Sequence, residues 1–283
     1  MARVFFNKRT GRASEPWVTL CLAAAVMLTL LTARAGRAAQ LPALADAAEL
    51  FDVKTAAAEM RLGGYRVLPL LGDGDEKSAL TDALLQYPDG FFEAIRTRTG
   101  GLTFLLCGGI RGERPGCRAA PSALTVSGSS GVTLVFDCSE GVSFYTVCHE
   151  VCHAADAALQ VPDAEWAALQ PPGFRFSGRY TDENGRPAED GDDLSFTPQG
   201  EGEPYFVNAY AKTFPAEDRA VLFETLMRAG PGAGYLHSPH IIKKLAAYCA
   251  LLRAGLDPDG RWEQPFWEAR LCEVLKAQQA CRP

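Results

Sequence analysis

The chain predicts an α+β fold: a small mixed sheet, a histidine-bearing helix packed beneath it, and a C-terminal helical lobe. Three features of the 283 residues carry this reading. Apolar spacing of three and four runs through residues 41–99 and through most of the chain after 142, short β-branched or apolar runs separated by turns fill 102–137, and no internal repeat or low-complexity tract interrupts either region. An apolar content of 47% is ordinary for a globular protein and excludes disorder as the general state.

The first 39 residues stand apart. Arg3, Lys8, Arg9 and Arg12 precede the apolar run WVTLCLAAAVMLTLLTA, and Ala33, Ala35, Ala38 and Ala39 follow at cleavage-type spacing, the layout of a secretory signal peptide or, if uncleaved, an N-terminal anchor. Residues 40–283 are then expected to form one domain, with an extracytoplasmic location, secreted or at the cell surface. That portion holds 22 Lys and Arg against 33 Asp and Glu. So acidic a chain, without a basic stripe, argues against nucleic acid as a partner and limits membrane contact to the N-terminal segment. Eight cysteines remain (107, 117, 138, 148, 152, 249, 272 and 281). An even number in an exported chain predicts disulfides, with Cys107 and Cys117 paired across the Gly and Pro-rich loop CGGIRGERPGC.

The elements follow in order. LPALADAAELFDVKTAAAEMRLGG reads as an Ala-rich helix closed by a Gly pair, DEKSALTDALLQYP as a helix with a Pro stop, and PDGFFEAIRTRTGG as a short helix ended by Gly. LTFLLC (102–107), SALTVS (122–127) and VTLVFD (132–137) read as strands, the last two joined by the hairpin connection GSSG. Helical spacing returns over 142–159, with Ser139 or Ser143 as the cap, and PDAEWAAL adds a short helix. Residues 178–203 are polar, acidic and Gly-rich, and read as a long surface loop or lid. PAEDRAVLFETLMRAG begins with Pro, carries acids in its first turn and ends in Gly; SPHIIKKLAAYCALLRAG and QPFWEARLCEVLKAQQAC complete the helical lobe.

Within the central helix, CHEVCHAAD holds two of the chain's four histidines. His149 and His153, four apart, project from one helix face about a turn apart and can reach one ion together. Glu150 lies about 100° around the helix, placed to address a water without ligating the metal. Metal-assisted hydrolysis needs that division of labour, and two imidazoles plus one carboxylate suit a single Zn2+ with a fourth position open. Cys148 and Cys152 form a second pair at the same spacing, but each lies about 100° from its neighbouring histidine on the side away from Glu150. Four ligands from this hexapeptide therefore cannot converge, and the sulfurs are expected to face the core or other elements. A third ligand must come from elsewhere. Glu217, Asp218 and Glu224 are candidates, with Asp156 too close along its own helix; Glu217 and Glu224 are seven apart and share a face, so periodicity does not choose between them. His237 and His240 flank a Pro in LHSPH at a spacing that matches no zinc pattern.

Two segments, TVCHEVCHAAD (146–156) and YAKTFPAEDRAVLFETLM (210–227), resemble bacterial zinc metallopeptidases, zincins of gluzincin type related to the protease domain of anthrax lethal factor. In that group a tyrosine precedes the zinc-ligating glutamate by seven residues, as Tyr210 precedes Glu217. The resemblance implies a zincin-like catalytic domain in which His149, His153 and Glu217 hold zinc, Glu150 is the general base, and the Tyr210 phenol donates to the developing oxyanion. The sequence departs from the toxin at Asp218 and Arg219, where the toxin has aromatics, and at the paired cysteines. LLQYPDGFFEAI, EWAALQPPGFRF and WEQPFWE are similar to further relatives of the group. The activity implied is peptide-bond hydrolysis on extracytoplasmic proteins or peptides. The alternative is an exported zinc-binding or adhesive domain without catalysis.

Overall fold

The structure is a computed structural model that describes residues 51–72, 75–114, 117–180, 204–228, 236 and 238–280. The N-terminal segment, most of the loop expected at 178–203, His237 and Cys281 lie outside the described residues.

A four-stranded sheet forms the centre. Its strands are β1 (Val53–Thr55), β4 (Leu102–Cys107), β7 (Gly131–Asp137) and β6 (Ala123–Gly128), in that spatial order. β1, β4 and β7 run parallel, and β6 returns antiparallel to β7, making the sheet mixed. The hairpin turn between β6 and β7 falls at the GSSG connection. β4 and β7 are apolar almost throughout because both of their faces are covered. Phe104, Leu106, Leu134 and Phe136 point into the main core among the helices, while Leu105, Cys107 and Val135 point into a smaller core. Removing a fully buried Leu or Phe from water stabilises the fold by ~1.5–3 kcal/mol, so this double coverage fixes the strand register.

The smaller core is capped by a second, three-stranded sheet of β2 (Met60–Leu62), β3 (Tyr65–Leu68) and β5 (Gly109–Gly112). This sheet corrects the sequence reading twice. The helix expected through 64 is strand from Val53 onward, in pieces of three and four residues too short to show a period of two. The Gly pair taken as a helix stop is the two-residue turn of the β2–β3 hairpin, with φ of +59° at Gly63 and +91° at Gly64. Positive φ at both positions is what a type I′ hairpin turn requires and what glycine supplies without strain. The stretch after Cys107, expected to be a loop, is β5, paired along its length with β3.

That pairing also removes the expected disulfide. The Cys107 thiol donates to the Phe136 carbonyl at 3.3 Å, whereas Cys117 lies beyond β5 with its thiol 3.7 Å from the Gly64 carbonyl. All seven cysteines among the described residues are free. Burial pushes the Cys107 thiol up to about 11 and the Cys148 thiol up to about 12, so these are small core side chains rather than reactive groups.

Seven helices accompany the sheets among the described residues: α1 (Glu76–Leu84), α2 (Phe91–Thr99), α3 (Phe144–Leu159), α4 (Asp163–Ala167), α5 (Pro215–Arg228), α6 (Pro239–Leu256) and α7 (Phe266–Ala280). α3 packs against β6 and β7 on one side and α5 on the other. Its start is set by Ser143, whose Oγ accepts from the Thr146 amide at 3.1 Å, and its end by Gln160 in the left-handed region. Val147, Cys148, Val151, Cys152, Ala154 and Ala155 form its buried stripe. No helix among the described residues is long and apolar enough to cross a membrane.

Candidate metal centre

The buried stripe of α3 leaves the opposite side of the helix facing a cleft, and His149, Glu150 and His153 all line it. The sulfurs turn away as expected: Cys148 and Cys152 are buried, and the Cys152 thiol donates to the Tyr248 hydroxyl on α6 at 2.9 Å. Across the cleft stands the first turn of α5, which carries Glu217.

His149, His153 and Glu217 converge. Their facing atoms form a triangle: His149 Nε2 to His153 Nε2 is 3.2 Å, His149 Nε2 to Glu217 Oε2 is 3.1 Å, and His153 Nε2 to Glu217 Oε2 is 3.3 Å. A four-coordinate ion with bonds of ~2.0–2.1 Å separates neighbouring ligand atoms by about 3.3 Å. The donor set and its spacing therefore fit one divalent cation, and these three residues could hold a metal ion. They also form a cluster with a strong electrostatic demand. Burial alone would depress the His149 imidazole, but the Glu217 and Glu224 carboxylates beside it outweigh that and push it up to about 10. Burial likewise opposes charge on Glu217 and on His153, yet their mutual attraction wins, holding the carboxyl below and the imidazole above its usual range.

Both acids that periodicity left open reach His149, on opposite ring nitrogens. Glu217 meets Nε2, and Glu224 Oε2 lies 3.3 Å from Nδ1. With its proton on Nδ1, the imidazole donates to Glu224 and directs the Nε2 lone pair at the centre, the usual arrangement behind a metal-bound histidine. The shared face explains both contacts, since seven residues are two helical turns. Asp218 and Arg219 take no part. They turn into the protein, Asp218 to Lys244 at 2.8 Å and Arg219 to Asp156 at 2.6 Å. His240 is also elsewhere, its ring stacked 3.6 Å from that of Tyr205.

Glu150 is buried beside the triangle, and its Oε2 accepts from the Thr125 hydroxyl of β6 at 2.7 Å. Tyr210 opens the short 3-10 turn Tyr210–Lys212 just before α5, with its ring centroid 6.2 Å from that of His149. Burial, reinforced by the negative charge of Glu217, pushes its phenol far above the usual range, so it stays protonated. The structure adds groups that no sequence pattern marked. Tyr180 donates to Glu217 Oε1 at 3.0 Å and stacks on Tyr210. Arg118 Nη1 donates to the Tyr210 hydroxyl at 3.4 Å. Neither residue sits at a recognisable spacing from CHEVCH, because both arrive by tertiary folding from segments without a motif.

The cleft encloses about 490 Å³ and runs along β6, from Ala123 to Ser127, which is the edge of the four-stranded sheet among the described residues. No protein-family profile matches the chain, and no curated protein matches it. Among solved structures, the chain is similar to a "putative zinc-binding metallo-peptidase" from Bacteroides caccae, at 14% identity over 95% of this chain and 96% of that one, with a TM-score of 0.42.

Proposed function

We propose that the protein is a zinc-dependent peptidase of gluzincin type that cleaves peptide bonds with an activated water. The observation that carries this reading is the triangle of His149, His153 and Glu217, with Glu150 beside it and β6, the sheet edge among the described residues, alongside. Zinc is the ion that two imidazoles and one carboxylate suit, and when bound it acidifies a water and polarises the substrate carbonyl. Glu150, steadied by Thr125, takes the proton from the attacking water and returns it to the leaving amine. Tyr210, kept protonated by burial, donates a hydrogen bond to the oxygen of the tetrahedral intermediate. An extended substrate adds to the edge of β6 through main-chain hydrogen bonds, which favours a polypeptide over a small ester or amide.

The location proposed is extracytoplasmic, and it rests on the N-terminal sequence alone, because the free cysteines withdraw the support that disulfides would have given. The test is metal analysis of the purified chain together with digestion of an unbiased peptide library, with and without chelator. One zinc per chain and chelator-sensitive cleavage are expected. Zinc without cleavage would favour a binding domain, and no zinc would remove both readings.

A further inference from the structure

The two oxygens of the Glu217 carboxylate have different partners. Oε2 faces His149 Nε2 at 3.1 Å and His153 Nε2 at 3.3 Å, whereas Oε1 accepts from the Tyr180 hydroxyl at 3.0 Å. The Tyr180 ring is itself held in place. It stacks on Tyr210 with centroids 5.9 Å apart and lies 4.8 Å from the ring of Phe214, the residue just before α5. The chain leading to it is tied to the same segment: the Gly178 amide donates to the Thr213 carbonyl at 2.9 Å, and the Ser177 amide to the Lys212 carbonyl at 3.1 Å. The hydroxyl therefore reaches Oε1 from a frame fixed to the start of the helix that carries Glu217.

From this placement we infer that Tyr180 is a positioning residue that makes Glu217 a one-oxygen ligand, holding Oε1 out of the metal's coordination and so keeping one position free for water. The inference rests on the zinc peptidase reading and deepens it. A phenol is protonated at neutral pH, and its bond to a carboxylate is charge-assisted, roughly twice as strong as one between neutral groups. A carboxylate can ligate through one oxygen or through both. Through both, it fills a tetrahedral site together with two imidazoles and leaves no place for water. Drawing Oε1 to the ion means breaking its bond to Tyr180, so the phenol decides the number of ligand atoms. The two stacked tyrosines thereby take different tasks. Tyr180 acts on the ligand, and Tyr210 addresses the substrate oxygen.

The test compares Tyr180→Phe with Tyr210→Phe, each of which removes one hydroxyl and keeps its ring in the stack. Only the first takes a donor from Glu217. Both variants and the unaltered chain are loaded with Co2+, whose visible absorption weakens as a fifth ligand atom lowers the asymmetry of a four-coordinate site. Tyr180→Phe should lose intensity, and Tyr210→Phe should keep the spectrum of the unaltered chain. Zinc affinity by chelator competition should fall about tenfold in Tyr180→Phe alone, as expected when a ligating group loses the hydrogen bond that orients it. An unchanged cobalt spectrum in Tyr180→Phe overturns the inference even if affinity falls, because the hydroxyl would then not govern the number of ligand atoms. Equal weakening in both variants overturns it too, by assigning the effect to ring packing. Failure of the peptidase reading is a separate result: an unaltered chain that binds both metals yet cleaves no peptide.

Discussion

Residues 217, 218 and 219 are consecutive on α5, yet they serve two clusters of opposite character. Asp218 and Arg219 belong to networks whose charges are paired inside the chain. Asp218 accepts from Lys244, Trp166 and Gln170, and Lys244 also donates to the Tyr205 carbonyl at 2.7 Å. Arg219 pairs with Asp156, whose other oxygen accepts from Tyr248. In each pair one cation meets one anion inside the chain. Glu217 faces two imidazoles, which are cations only when protonated, and the three facing atoms lie within 3.1–3.3 Å of one another. Among the described residues no Lys or Arg pairs with Glu217, so the cluster calls for protons or a metal ion. Buried charge by itself therefore does not mark a site; what marks it is charge that the fold leaves to be completed from outside.

The largest effect expected from breaking this contrast is on catalysis. Glu150→Gln is isosteric, keeps an acceptor for Thr125, and touches neither network. It should lower library cleavage by ~10²–10⁴ as the proton acceptor is lost, while metal analysis still finds about one zinc per chain. A variant that loses zinc together with activity would assign Glu150 to the ligand set instead.

The next effect is on stability and tests the internally paired side. Lys244→Ala leaves the Asp218 carboxyl, whose pKa burial already raises, without its compensating cation in a fully buried place, since both side chains have no exposed surface. Denaturant unfolding should show a loss of ~3–5 kcal/mol, in zinc-loaded and zinc-free protein alike. Glu217→Ala should behave in the converse way. It lowers zinc affinity, and its stability deficit grows when zinc is present to stabilise the native state of the unaltered protein. If Lys244→Ala changed zinc affinity as strongly as Glu217→Ala does, the two clusters would be one system.

A smaller effect is expected one step behind the triangle. Glu224→Gln preserves shape at His149 Nδ1 but removes the charge that orients the ring, and zinc affinity measured by competition with a chelator should fall ~10–100-fold. Val221, one turn closer to Glu217 on the same helix face, is buried and apolar, so no other carboxylate on α5 substitutes.

What could be read from sequence, and what could not, follows the same division. The helix of 144–159 was legible in its period, because the apolar stripe is a local signal, while its cap was narrowed only to Ser139 or Ser143, of which the structure uses Ser143. His149, Glu150 and His153 were legible because one helix places them. Choosing Glu217 over Glu224 required a resemblance, as the two share a face and both in fact reach His149. The strands of 53–68 were misread because three-residue strands between alanines carry less period than the Ala-rich composition suggests. Gly63 and Gly64, read as a helix stop, held the true signal for a hairpin. Thr125, Tyr180 and Arg118 were invisible for a different reason. Each enters the cleft from another part of the fold, and only the packing of α3 and α5 against the sheets brings them together.

The effect that separates the open cluster from the internally paired networks without any mutation is the dependence on pH. The His149 pKa is raised from an ordinary 6.5 to about 10 in the zinc-free fold. A raised folded-state value contributes stability that is fully present below pH 6.5 and is lost as pH climbs toward 10, because the folded state holds a proton that the unfolded chain releases. For one proton the slope cannot exceed ~1.4 kcal/mol per pH unit. Zinc-free protein should therefore unfold at a lower urea concentration at pH 9 than at pH 6. Zinc binding must have the opposite slope, because the ion needs the lone pairs that those protons occupy, so affinity rises with pH over the same window. Calorimetry at two pH values, in buffers of different ionisation enthalpy, would count the protons released on zinc uptake. Release of none would mean that the imidazoles are already neutral and that the carboxylates around them do not hold the cluster as described.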